Sequence, residues 1–129
     1  MREILFRAKD FYTKEWVYGM LHGVKDYYAM QTLQFNIHDI IPETVGQYTG
    51  LTDKNGNKIF EGDIVKNSCC VTLRSGDNED KWDFTIMGVV TFRKGGFWVK
   101  GSEIDFPVDN EYEVIGNVID DPELLEGQK

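Results

Sequence analysis

The side chains with the most chemical potential in this sequence are Glu61 and Asp63, two carboxylates on either side of Gly62. Paired carboxylates can share acid–base work when a cleft raises the pKa of one of them. Here the glycine marks a chain reversal just ahead of an apolar pair, Ile64 and Val65. A carboxylate placed there accepts backbone N–H bonds, so Asp63 is expected to brace the turn while Glu61 stays in solvent. Asp53-Lys54-Asn55-Gly56-Asn57 resembles the opening of a calcium loop but lacks the glutamate that would close one. His22 and His38 stand far apart with no nucleophile pattern nearby. Cys69 and Cys70 are neighbours, which point to opposite faces of a strand, so two free thiols are expected rather than a bridge. Neither cysteine has a partner at a zinc-ligand spacing. Glycine-rich phosphate loops and nucleophile elbows are missing from the sequence. We therefore expect no catalytic residue, no cofactor-binding residue and no metal ligand, and not an enzyme.

Binding chemistry has better candidates. Arg93 and Lys94 lie beside Phe92, Phe97 and Trp98, and aromatic rings next to basic groups can stack nucleotide bases. A net charge of −8 opposes this, because phosphate contacts draw on an excess of Lys and Arg. With Phe92 and Phe97 assigned to the core, Trp98 falls on the opposite strand face and becomes an anchor for a protein partner. Trp16 and Tyr18 alternate with Val17 and would form a self-association surface if left uncovered. The candidate interaction surface is thus Trp16, Tyr18, Arg93, Lys94 and Trp98.

The elements that must carry these residues read as strands. Gly46–Lys66 organises them. Asn55-Gly56 predicts a type I′ hairpin turn between arms Leu51–Lys54 and Lys58–Phe60. The Gly62 turn follows at once, leaving no room for a helix. Upstream, Ile4, Phe6 and Ala8 predict a first strand, Lys9–Glu15 a turn, and Trp16–Tyr18 a second strand closed by Gly19. His22–Ile41 has no clean period. A strand at Phe35–Ile37 and a helical turn at Tyr28–Leu33 compete there, before Pro42 and a strand over Thr44–Tyr48. Downstream, Val65–Leu73 alternates as a half-buried strand, and Ser75–Lys81 reads as a mobile polar loop. Trp82–Phe92 alternates most cleanly, with Gly88 as its bend. Lys94-Gly95-Gly96 turns into a strand over Phe97–Gly101, and Ser102–Asn110 is a loop. Tyr112–Val118 is the last strand, and Asp121-Pro122 starts a one-turn helix at Glu123–Leu125.

GQYTGLTDKNGNKIFEGDIVK, residues 46–66, resembles the signature of the YopX family. Arg7–Asp10 with Trp16–Gly19, Gly88–Val90 with Phe92, Phe97-Trp98, and Glu111–Asn117 with Asp121–Leu125 are similar to other blocks of that family, in the same order. The resemblance implies a small, mainly-β protein encoded by a phage or prophage of Gram-positive bacteria. It implies no chemistry, since the family has no assigned function.

A chain of 129 residues makes one domain able to bury about two-thirds of its unfolded surface. With 13 glycines and 3 prolines it suits a turn-rich β protein. No apolar run is long enough for a membrane helix and no signal peptide opens the chain, so no membrane partner and a cytoplasmic location in a bacterial host are expected. The expected fold is mainly β: a small SH3-like or partly open barrel, or a curled antiparallel sheet, with an N-terminal hairpin and a one-turn C-terminal helix. Residues 1–45 would form the hairpin and a variable segment, and 46–126 the barrel core. The expected function is a small non-catalytic β interaction module. It would bind an unknown phage or host protein and form a homo-oligomer. The alternative is a small barrel binding single-stranded nucleic acid, and a hydrolase built on Glu61 and Asp63 stands third.

Overall fold

The computed structural model describes residues 5–24, 27–32, 34, 36–93, 95–100 and 105–125. Its strands are β1 (Phe6–Lys9), β2 (Trp16–Val24), β3 (Tyr27–Gln31), β4 (Ile37–Asp39), β5 (Gly46–Thr52) and β6 (Lys58–Phe60), followed by β7 (Asp63–Ser75), β8 (Asn78–Arg93), β9 (Gly96–Lys100), β10 (Asp105–Pro107) and β11 (Glu113–Asn117). Short 3-10 turns at Pro42–Thr44 and Pro122–Leu125 are the helical segments among the described residues.

The strands form two antiparallel sheets, one in the order β4-β3-β2-β1-β5-β6 and one in the order β10-β9-β8-β7-β11. Neither sheet closes into a barrel among the described residues, so the mainly-β reading holds in its curled-antiparallel-sheet form. The reason lies at Gly62. The chain leaves the three-residue edge strand β6, reverses through Gly62 at φ +92° and enters the second sheet as β7 instead of continuing round the first. The Gly62 N–H donates to the Val90 carbonyl and its own carbonyl accepts from Val118, which ties the turn to the second sheet. The boundary drawn at residue 45 is not a sheet boundary, because β5 pairs with β1 and β6 with β5. The N-terminal hairpin is the middle of the first sheet.

Other expectations shift in informative ways. The ambiguous stretch after Gly19 holds three strands, β2 running on to Val24, β3 and β4, and Leu21 pairs with Met30 where a helical turn competed. Ile4, Phe35 and Lys94 lie outside the described residues. Ser75–Lys81 is not a loop. The β7–β8 ladder continues without a register shift to Ser75 opposite Asn78, turning on Gly76 at φ +62° and Asp77. Gly first in a two-residue loop suits a type II′ turn. Asp105–Pro107, assigned to a loop, is an edge strand on β9. The C-terminal turn is 3-10, and the Asp121 carboxylate turns back to the Asn117 N–H instead of capping it.

Buried Ile59, Val65, Val90, Val99 and Tyr112 form one core, with Leu51, Phe97, Phe106 and Val114 packed on it. Ala8, Met30 and Ile40 form a second, with Phe6, Val17, Leu21 and Val45. Gly88 serves the first core by close approach, since no bulge interrupts the ladder there and a Cβ would overlap the Lys100 carbonyl. Gly88→Ala is expected to cost about 2–3 kcal/mol, as backbone cannot give way like a side-chain tip. Chemical denaturation with an unchanged m-value checks it.

Candidate functional site

Arg7 reaches from β1, the centre of the first sheet, to Asp63 at the head of β7. Its Nη2 donates to Asp63 Oδ1 at 2.6 Å, and the two side chains are only 9% and 2% exposed. Asp63 Oδ2 accepts the Phe60 N–H at 2.8 Å, the turn-bracing role expected from sequence. The guanidinium lies over the rings of Trp16 at 4.6 Å and Phe60 at 4.9 Å. Its Nε is buried with no hydrogen-bond partner among the described residues. Burial pushes the Asp63 carboxyl up, and the Arg7 charge and the Phe60 N–H pull it part of the way back. Asp63 is therefore a joint between sheets, committed to Arg7 and the turn, while Glu61 is half-buried beside it.

Trp16 is held on both sides. Its indole N–H donates to Asp120 Oδ2 at 2.8 Å, and Lys9 Nζ sits 4.8 Å over the ring while pairing with Asp120 Oδ1 at 2.8 Å. The Lys9 and Trp16 donors, in that order, hold the Asp120 carboxyl down at about 2 against burial. Asp10 also lies at about 2, through the Thr13 N–H first, then the His38 ring and the Tyr12 N–H. Both carboxyls titrate below their ordinary 3.8. Between those values the unfolded chain takes up protons first, so the stabilisation present above pH 3.8 is lost as pH falls towards 2. Thermal melts should show a steeper acid decline for wild type than for Asp120→Asn over that window.

Tyr18 follows two residues along β2, tilted against Phe60 at 5.6 Å, and Phe60 meets Tyr48 at the same separation. A groove of about 480 Å³ opens beside them, lined by Leu5, Arg7, Tyr18, Lys58, Phe60 and Val114 among others. Register places Met20 opposite Gln31 and Gln31 opposite Ile37, so Tyr18, Met20 and Ile37 share the sheet face that looks away from the Ala8–Met30 core. All three are exposed, Met20 by 61% and Ile37 by 69%.

The second group of candidates lies on the other sheet. Trp98 is half-buried, its indole N–H on the Arg93 carbonyl at 3.2 Å, so it is less of an open anchor than alternation implied. Phe92, assigned to the core, is exposed and meets the Phe97 ring edge-on at 5.1 Å. Arg93 is exposed at the end of β8. The structure puts Trp16 and Tyr18 on the first sheet and Arg93 and Trp98 on the second, and Lys94 lies outside the described residues. Sequence reasoning missed Arg7, Asp120, Met20 and Ile37. Arg7 had a signal: a lone charge among apolar residues of a strand flanked on both sides must find a buried partner.

Among the described residues no cluster of three His, Cys, Asp or Glu side chains could hold a metal ion, and no helix is long and apolar enough to cross a membrane. No curated protein matches this sequence. The fold is similar to the crystal structure of protein EF1440 from Enterococcus faecalis, with a TM-score of 0.56 and 23% identity over 97% of this chain and 99% of that one. The family model described as YopX protein matches residues 5–126, and the chain belongs to the YopX family.

Proposed function

We propose that this protein is a small non-catalytic β interaction module working through protein–protein contacts, with the Tyr18–Met20–Ile37 face as a contact surface. Its setting is the cytoplasm of a bacterium carrying a phage or prophage, and its partners are a phage or host protein and further copies of the chain. The observation that supports this reading most is the uncovered apolar face itself. Large side chains gathered on one sheet face cost solubility unless a partner covers them. The neighbouring carboxylates with the strongest hydrogen bonding are committed to structural partners. The test is affinity capture from phage-induced cells with wild type and with Met20→Asp/Ile37→Asp. A protein retained by the first and lost by the folded double variant supports the reading; equal recovery by both removes it.

A second reading is single-stranded nucleic-acid binding at the β8–β9 hairpin, favoured by exposed Phe92 beside Arg93 and Trp98. Tryptophan quenching by oligonucleotides at low salt, abolished by Phe92→Ala, is its expected sign, and an unchanged spectrum dismisses it.

A further inference from the structure

The β7–β8 hairpin outruns its sheet. β11 covers β7 only from Asp63 to Lys66, and β9 covers β8 only from Val89 to Arg93. Beyond those limits Asn67–Ser75 and Asn78–Ile86 pair with each other alone among the described residues. Every residue from Thr72 to Asp83 is exposed. Two strands by themselves are marginal in water, and each outer edge offers a row of unmet backbone groups.

We infer that this arm pairs with the same arm of a second copy, β8 against β8 about a two-fold axis at Trp82. In a two-residue hairpin the pair flanking the turn, Ser75 and Asn78, exchanges both hydrogen bonds. Alternating from there, Glu79, Lys81, Asp83 and Thr85 turn their backbone groups away from β7. An antiparallel match of residues 78–86 sets Lys81 opposite Asp83 of the other copy, Asp83 opposite Lys81, and Glu79 opposite Thr85 in both directions. About eight backbone hydrogen bonds form, two for each of these four pairs. At the axis the two Trp82 indoles, each 52% exposed, meet in a closely spaced non-hydrogen-bonded pair.

Charge selects this register. Moving the axis one residue sets Lys81 against Lys81 or Asp83 against Asp83, and like charges directly opposite are unfavourable. Within one chain Lys81 lies 3.8 Å from Glu79 on exposed side chains, a contact too weak in water to hold it back. The product is a continuous four-stranded sheet joining two bodies.

This inference rests on the contact-protein reading and gives self-association an address apart from the Tyr18 face. Sedimentation velocity over a wide concentration range tests it on the full chain with Lys81→Glu, Asp83→Lys and the double exchange. Wild type should dimerise, each single variant should dimerise about tenfold more weakly or worse, and the double exchange should restore the dimer. These exposed sites leave the cores untouched, and circular dichroism confirms folding. If wild type associates and the single variants match it, the edge pairing is wrong while self-association through another surface stands. A wild-type monomer at every concentration overturns self-association, and leaves the Tyr18 face to the capture experiment.

Discussion

Arg7→Met should destabilise the protein by about 3–5 kcal/mol, because it strips a buried carboxylate of its counter-charge. The methionine replaces the alkyl stem and keeps contact with Trp16 and Phe60, so the loss reports the charge rather than a cavity. Asp63 stays beneath it with the Phe60 N–H as its remaining donor among the described residues. Its carboxyl, already raised by burial, rises further. The folded variant then binds a proton more tightly than the unfolded chain, and its stability recovers as pH falls from neutrality towards the ordinary carboxyl value of 3.8. Wild type does not share so large a recovery. Denaturant melts of both proteins at neutral and mildly acidic pH make the comparison. Arg7→Met/Asp63→Leu should regain much of the loss, since apolar replacement of both partners removes the desolvation cost. A single variant as stable as wild type would mean that the two sheets are joined by packing alone.

Asp53→Ala should cost about 3 kcal/mol. The side chain is buried, and its oxygens accept from the N–H groups of Asn55 at 2.9 Å, Asn57 at 2.8 Å and Val114 at 3.0 Å. Burial is the largest influence on this carboxyl and pushes it up, yet the N–H donors together outweigh it and leave it low. Removal frees several donors at once, and a donor left unmet indoors costs about 1–3 kcal/mol. The Asp53→Asn variant separates charge from shape: it keeps an acceptor for part of the set and should lose less than alanine does. Urea denaturation ranks the three proteins.

Asp53 also marks where sequence reading stopped short. Asn55-Gly56 located the hairpin but not its form. Only Gly56 takes positive φ, at +86°, and its N–H closes on the Asp53 carbonyl. The loop is a five-residue turn built round an aspartate instead of a two-residue type I′ turn, because a buried carboxylate with several donors outbids a local dipeptide preference. Alternation located β1, β7 and β8, but the half-buried face it gave to Val65–Leu73 does not reach Leu73, which is exposed. It failed for 75–81, where both faces are wet and period carries no signal, and for the segment after Gly19, where Ala29 and Met30, neighbours on opposite faces of β3, are both buried and break the alternation. Candidate surface residues were legible as types, as with Tyr18. Their covering was not, because Trp16 is capped by Asp120, 104 positions away, and spacing along a chain does not report such meetings.

That separation also bears on synthesis. Arg7 cannot meet Asp63 until 56 further residues have been made, and Trp16 waits 104 positions for Asp120. On the ribosome the β1–β2 hairpin is thus an unfinished object, its cation and its indole meeting their partners at different times. A fragment cut short between Asp63 and Asp120 would keep the partner of Arg7 but lose that of Trp16, and would carry an exposed indole into the cell's quality-control machinery.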